Sequence, residues 1–129
     1  MRLLLDTHVF LWFITGDERL PEAFSKAICD PANDVFLSVV SIWESMVKHS
    51  LGKLSLPADP AVYLPTLRKR HGIATLPLDE ASVLQIAALP NLHRDPFDRM
   101  LICQAISHDM SLVSQDKALA QYKVRLLPE

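Results

Sequence analysis

The sequence predicts a three-layer α/β/α domain built on a mostly parallel central sheet of four or five strands. Two observations carry this expectation. Short apolar, strand-like runs alternate along the chain with segments of helical periodicity. The length, 129 residues with half of them hydrophobic and 22% charged, suits one domain spanning 1–129 with a core of its own.

The elements follow in order. Leu3-Leu4-Leu5 reads as a buried strand that ends at Asp6. The apolar pattern continues through Val9–Ile14 and is stopped by Gly16-Asp17. Pro21 suits the first turn of a helix running to Cys29, and the turn Pro31–Asp34 leads into a second strand, Val35-Phe36-Leu37. Ser41-Ile42-Trp43-Glu44 matches the S-x-x-E capping box and predicts a helix to about Ser50, broken by Gly52. Leu51–Pro60 reads as a loop. Ala61–His71 is helical in pattern but contains Pro65, which predicts a kink or a late start. Gly72 ends it, and Ile73–Leu76 is the third strand. Asp79 caps a helix bearing Val83, Ile86, Ala87 and Leu89, and Pro90–Arg94 is a loop. Asp95, Pro96 and Asp98 take the N-cap, N1 and N3 positions of a helix whose apolar face is Leu101, Ile102, Ala105 and Ile106. Ser111–Ser114 is the fourth strand, Asp116 caps a short helix to Tyr122, and Val124–Leu127 is a candidate fifth strand.

Composition narrows the function. Thirteen basic residues against 15 acidic ones leave a net charge of −2, so no bulk positive field gathers nucleic acid and any such binding needs a local patch. Cys29 and Cys103 form no C-x-x-C pair, which argues against a disulfide scaffold or zinc ribbon and fits a reducing cytoplasm. Asp6 and His8 interrupt the apolar N-terminus, no small-residue cleavage site follows it, and no apolar run reaches the ~18–20 residues of a membrane span. Phosphate-cradling glycine loops and the serine-hydrolase elbow are absent.

The acids are more informative. In a parallel sheet, Asp6 after the first strand, Glu44 in the helix after the second and Asp116 after the fourth share one rim, and the Asp95/Asp98 turn can join them. Ligands of such sheets bind beyond the carboxyl ends of the strands. Carboxylates converging beside apolar walls repel one another and raise their own pKa values. A hard divalent cation removes the conflict, and Mg²⁺ needs only a few carboxylates because it keeps several waters. Each acid also has a structural reading: Glu44 as the reciprocal member of the capping box, Asp95 and Asp116 as caps, Asp98 as a helix-dipole partner. Asp6 has no such duty forced on it. His8 and His93 lie near this rim, Trp12 and Trp43 follow apolar helical patterns that favour core or interface, and Arg68–His71 reads as a solvated face or a partner contact.

Four blocks in order resemble the PIN-domain ribonucleases, specifically the VapC-type toxins of bacterial toxin–antitoxin pairs. They are Leu3–His8, Leu37–Glu44, His93–Arg99 running on through Ala105, and Leu112–Asp116 with Tyr122 and Val124 behind it. The resemblance covers nearly the whole chain. It implies a Mg²⁺- or Mn²⁺-dependent endoribonuclease in which Asp6, Asp98 and Asp116 hold the metal and Glu44 is a ligand or a base that orients the attacking water. Asp95, Thr7 and Ser114 would support these groups, and Arg94 and Arg99 would hold the phosphate backbone. The family also implies a homodimer and a cognate antitoxin, and the apolar helix around Phe10, Trp12 and Phe13 is expected to form part of the antitoxin groove.

Other readings remain open at this point. A haloacid-dehalogenase-like hydrolase would use Asp6 as a nucleophile, but its D-x-D pattern is broken by His8. A receiver-like domain needs two acids after the first strand and has one here. A non-catalytic PIN-like module binding RNA or protein is the main alternative, and metal-dependent cleavage separates it from the nuclease.

Overall fold

The computed structural model describes residues 1–92 and 95–128. Four parallel strands, β1 (Arg2–Leu5), β2 (Asp34–Ser38), β3 (Ala74–Leu76) and β4 (Ser111–Val113), lie in the order β3-β2-β1-β4. The register pairs Leu3 with Val35 and Leu4 with Phe36 on one side of β1, and Leu4 with Leu112 and Leu5 with Val113 on the other. Beyond β4 the expected fifth strand reduces to a single parallel bridge between Leu112 and Leu126, held by Leu112 N–H to Arg125 O at 2.8 Å and Leu127 N–H to Leu112 O at 2.9 Å.

Leu3, Leu4 and Leu5 are each fully buried because β1 is sandwiched between two cores. Alternation sends Leu3 and Leu5 to a cluster with α1 (Thr7–Thr15), α2 (Glu22–Cys29) and α4 (Pro60–Arg70). Leu4 faces the other way, into a cluster built mainly on α6 (Pro96–Ser107), with Leu101, Ile102, Cys103 and Ala105. Burying each such leucine contributes roughly 1.5–3 kcal/mol. The helix α3 (Val39–Ser50) serves both layers, through Val40 on one side and Ile42 on the other.

Several elements differ from the sequence expectation for identifiable reasons. The helix α3 begins earlier than the capping box implies, because Ser38 is its N-cap and accepts a bond from Val40 N–H through Oγ at 3.0 Å. Glu44 therefore lies in the second turn and closes no capping box. Pro65 neither delays nor breaks α4, which starts at Pro60 behind the Asp59 cap and runs through to Arg70. The helix after Asp79, α5 (Glu80–Leu84), tightens into a 3-10 turn over Gln85–Ala88, and the short helix after Asp116 is likewise 3-10, over Lys117–Gln121. Phe10 is a core residue at 1% exposure and cannot line a groove for a partner. Among the described residues, no helix is long and apolar enough to cross a membrane.

Candidate active site

The strand order places a switch point between β1 and β4: the chain moves from β1 outward to β2 and β3, then returns to the other side of β1. Crevices at such points, beyond the carboxyl ends of the strands, are where open parallel sheets bind ligands. Here Asp6 follows β1, and Ser114 and Asp116 follow β4. A cavity of about 280 Å³ opens at this position, walled by Asp6, Glu44, Asp95, Asp98 and Asp116 together with His8, Val9, Trp12 and Gln115. The five acids singled out from sequence thus meet, though they come from four separate stretches of chain. Gln115 is a wall that sequence reasoning missed; its only signal is its place between Ser114 and Asp116.

Asp6 occupies the N-cap position of α1 yet makes no side-chain cap bond. Its Oδ2 instead accepts from Ser114 Oγ at 2.7 Å. Burial pushes the Asp6 carboxyl above its ordinary range and the Glu44 charge adds to this; the Ser114 bond, His8 and the Thr7 backbone oppose the rise without cancelling it. Ser114 Oγ also accepts from Asp116 N–H at 3.1 Å, so one hydroxyl joins the two acids that follow neighbouring strands. Thr7 takes a different part from the one expected of its hydroxyl, which donates to Ser41 Oγ at 2.8 Å in a buried contact between α1 and α3.

Glu44 is 2% exposed. Its Oε2 is paired with Lys48 Nζ one helical turn on, while its Oε1 is buried with no hydrogen-bond partner. Burial alone would lower the Lys48 pKa, but the bond and charge of Glu44, with Asp95 and Asp98 nearby, raise it, so the lysine stays charged. Lys48 is the second residue at the site that sequence reasoning missed, although its i, i+4 spacing from Glu44 was the available signal.

Asp95 caps α6, Oδ1 accepting from Phe97 N–H at 2.9 Å and Asp98 N–H at 3.3 Å. This fixes Asp98 at N3, where the helix dipole favours its charge. Asp116 Oδ1 accepts from Ala118 N–H at 3.0 Å. Capping and lining the cavity are therefore compatible duties of one side chain. A buried bridge holds the two acid-bearing helices together: Ser38 Oγ donates to Gln104 Oε1 at 2.5 Å, and Gln104 Nε2 donates to Pro77 O at 3.2 Å. Of the two arginines expected at the phosphate, Arg99 is not among the cavity walls and its Nε is buried without a partner. Arg94, like His93, lies outside the described residues.

The donors suit a hard cation. They are carboxylate oxygens, and the orphaned Glu44 Oε1 is a buried acceptor that no donor among the described residues satisfies. Among the described residues, no three His, Cys, Asp or Glu side chains form a ready metal-ligating group. Mg²⁺ does not need one, since it is commonly bound through one or two carboxylates with water and phosphate filling the remaining positions.

Comparison with known proteins bears on the family and the fold. The family model for the PIN domain matches residues 3–125. The chain is 27% identical over 122 residues to the ribonuclease VapC22 of Mycobacterium tuberculosis, covering 94% of this chain and 92% of that protein. Its fold is similar to that in the crystal structure of VapBC2 from Rickettsia felis bound to a promoter DNA fragment, with a TM-score of 0.73, 14% identity and coverage of 99% and 98% of the two chains. A toxin-antitoxin complex from Klebsiella pneumoniae gives a TM-score of 0.64 at 16% identity, covering 98% of each chain.

Proposed function

The chain belongs to the PIN-domain family, and we propose that it is a metal-dependent endoribonuclease, the toxin of a bacterial toxin–antitoxin pair acting in the cytoplasm. The observation that carries the reading is the convergence of Asp6, Glu44, Asp95, Asp98 and Asp116 on one cavity at the switch point of the sheet. The similarity to a named ribonuclease over nearly the full length of both chains supports the reaction class.

In this reading Asp6, Asp98 and Asp116 would hold Mg²⁺ or Mn²⁺, directly or through its waters, and Glu44 would act as a ligand or as the base that orients the attacking water. The bound ion would supply Lewis-acid polarisation of the phosphodiester and neutralise the charge that develops on it. Lys48 aims Glu44 by holding Oε2. Ser114 fixes Asp6 in place by donating to Oδ2 and opposes the rise in its pKa. The Ser38–Gln104 bridge holds α3 and α6 in register, so that Glu44 and Asp98 face the same space. A cognate antitoxin and a homodimer belong to the same proposal, and the fold neighbour solved as a toxin-antitoxin complex supports the former.

The test is RNA cleavage by purified protein with Mg²⁺, Mn²⁺ or chelator, beside an identically purified Asp98→Asn variant. Cleavage that requires the metal and is lost in the variant is expected. Equal cleavage by both proteins would point to a contaminant and overturn the site. Metal binding without cleavage of any RNA would favour the non-catalytic module.

A further inference from the structure

A second, larger cavity of about 590 Å³ lies between α1, the end of α3 and the segment 53–57. It shares two walls, His8 and Trp12, with the acid cavity, so the two adjoin at the first turns of α1. Their charges are opposite. The acid cavity is lined by five carboxylates, whereas the groove is lined by Arg19, Lys48 and Lys53 against one carboxylate, Asp17.

Two of these cations are already engaged. Arg19 holds Asp17 through Nε at 3.0 Å and through its terminal nitrogen at 2.7 Å, and Lys48 holds Glu44. Lys53 is exposed and has no carboxylate partner among the described residues. Its backbone N–H donates to Lys48 O at 2.8 Å, which anchors it at the end of α3 on the groove wall. Beside these charges stands a run of flat π surfaces. His8 stacks on Trp12 with centroids 6.0 Å apart and planes at 16°, and the Arg19 guanidinium lies 5.2 Å from the indole centroid.

Resting on the endoribonuclease reading, we propose that this groove binds the single-stranded RNA as it leaves the cleavage site. A strand whose scissile phosphate sits over the carboxylates must continue past them, and its next phosphates are repelled by the same acids. The adjoining groove offers them Lys53, a cation without a carboxylate partner among the described residues. A cation that tracks the backbone together with aromatic surfaces for the bases is the combination by which proteins hold single strands. A groove of this volume matches sites that enclose a small ligand, which is room for a few nucleotides of one strand.

The experiment measures binding of a labelled, mixed-sequence single-stranded RNA by anisotropy across a salt series. It uses the Asp98→Asn protein, which leaves the strand uncut, and the same protein carrying Lys53→Gln, Trp12→Ala or Trp12→Phe. Loss of one phosphate contact in Lys53→Gln lowers the slope of log affinity against log salt by about 0.7. Trp12→Ala weakens binding on the order of 10-fold, and Trp12→Phe recovers most of it. Because Lys53 is exposed, its variant folds whatever becomes of the tryptophan pair. Unchanged affinity and slope in Lys53→Gln and Trp12→Ala, in a protein whose wild type cleaves RNA, overturn the groove and leave the nuclease reading intact. If those variants lose antitoxin binding instead, the groove belongs to the protein partner. A wild type that neither cleaves nor binds RNA overturns both.

Discussion

Lys48 stands one helical turn after Glu44 on α3 and holds one oxygen of a carboxylate whose side chain is 3% exposed, leaving the other oxygen buried and unpartnered. The ion pair offsets the cost of burying a carboxylate. Lys48→Met strands that charge. The expected loss is about 1–3 kcal/mol, below the ~3–5 of a fully buried pair because Lys48 is one-third exposed. Adding Glu44→Gln should recover part of it, and a double-mutant cycle of urea midpoints measures the coupling.

Asp6 sets a pH dependence whose sign follows from its environment. Burial raises its pKa first and Glu44 adds to that, and the net value lies above its ordinary 3.8. The folded state therefore binds the Asp6 proton more tightly than the unfolded state. Stability from this group is greatest below 3.8 and falls as the pH rises through the folded pKa. Asp6→Asn removes the penalty. In the absence of metal the variant should match wild type more closely in acid and exceed it in stability above that window, as read by urea midpoints across pH. A wild type equally or more stable than Asp6→Asn at neutral pH would refute the burial argument.

Ser114 joins Asp6 to the backbone of Asp116 through one hydroxyl. Ser114→Ala removes the donor that lowers the Asp6 pKa and loosens both acids. Mn²⁺ affinity by titration calorimetry should fall about 10- to 100-fold, the usual cost of deleting a group that orients a metal ligand. Ser114→Thr keeps the hydroxyl and should retain most of the affinity.

Asp95 combines an N-cap with a place on the cavity wall. Asp95→Ala should cost about 1 kcal/mol of stability and, by releasing the first turn of α6, reduce cleavage through Asp98. Asp95→Asn keeps the cap acceptor, so stability should stay within a few tenths of a kcal/mol and cleavage within severalfold. A collapse of cleavage in the Asn variant with stability intact would instead make Asp95 a ligand. Thermal melts and initial cleavage rates on the same preparations decide between them.

Thr7 offers a control beside the site. Its hydroxyl is spent on Ser41 and not on a carboxylate. Thr7→Val should therefore cost roughly 1 kcal/mol of stability for the lost buried bond while leaving metal affinity near wild type. A large drop in Mn²⁺ affinity would show that the Thr7 hydroxyl serves the acids after all.

Read alone, the sequence determined the elements whose signals are local. Leu3-Leu4-Leu5, the Asp95-Pro96 start of α6 and the stop at Gly72 depend on neighbours a few residues away, and the structure keeps them. It also picked out Asp6, Glu44, Asp98 and Asp116, because acids beside apolar runs contradict burial unless something converges on them. Local signals misled where two readings competed: Ser38 and not Ser41 caps α3, accepting from Val40 N–H, while the Ser41 hydroxyl accepts from Thr7 on another helix. Only the tertiary structure decided what depends on strand order. Placing β4 beside β1 brings Ser114 to Asp6 across 108 residues of chain, sets Glu44 with its unpaired oxygen at the same crevice, and opens a basic groove next to an acidic one. Such relationships are distances between side chains remote in sequence, set by the packing of two cores on one sheet, and no local pattern encodes them.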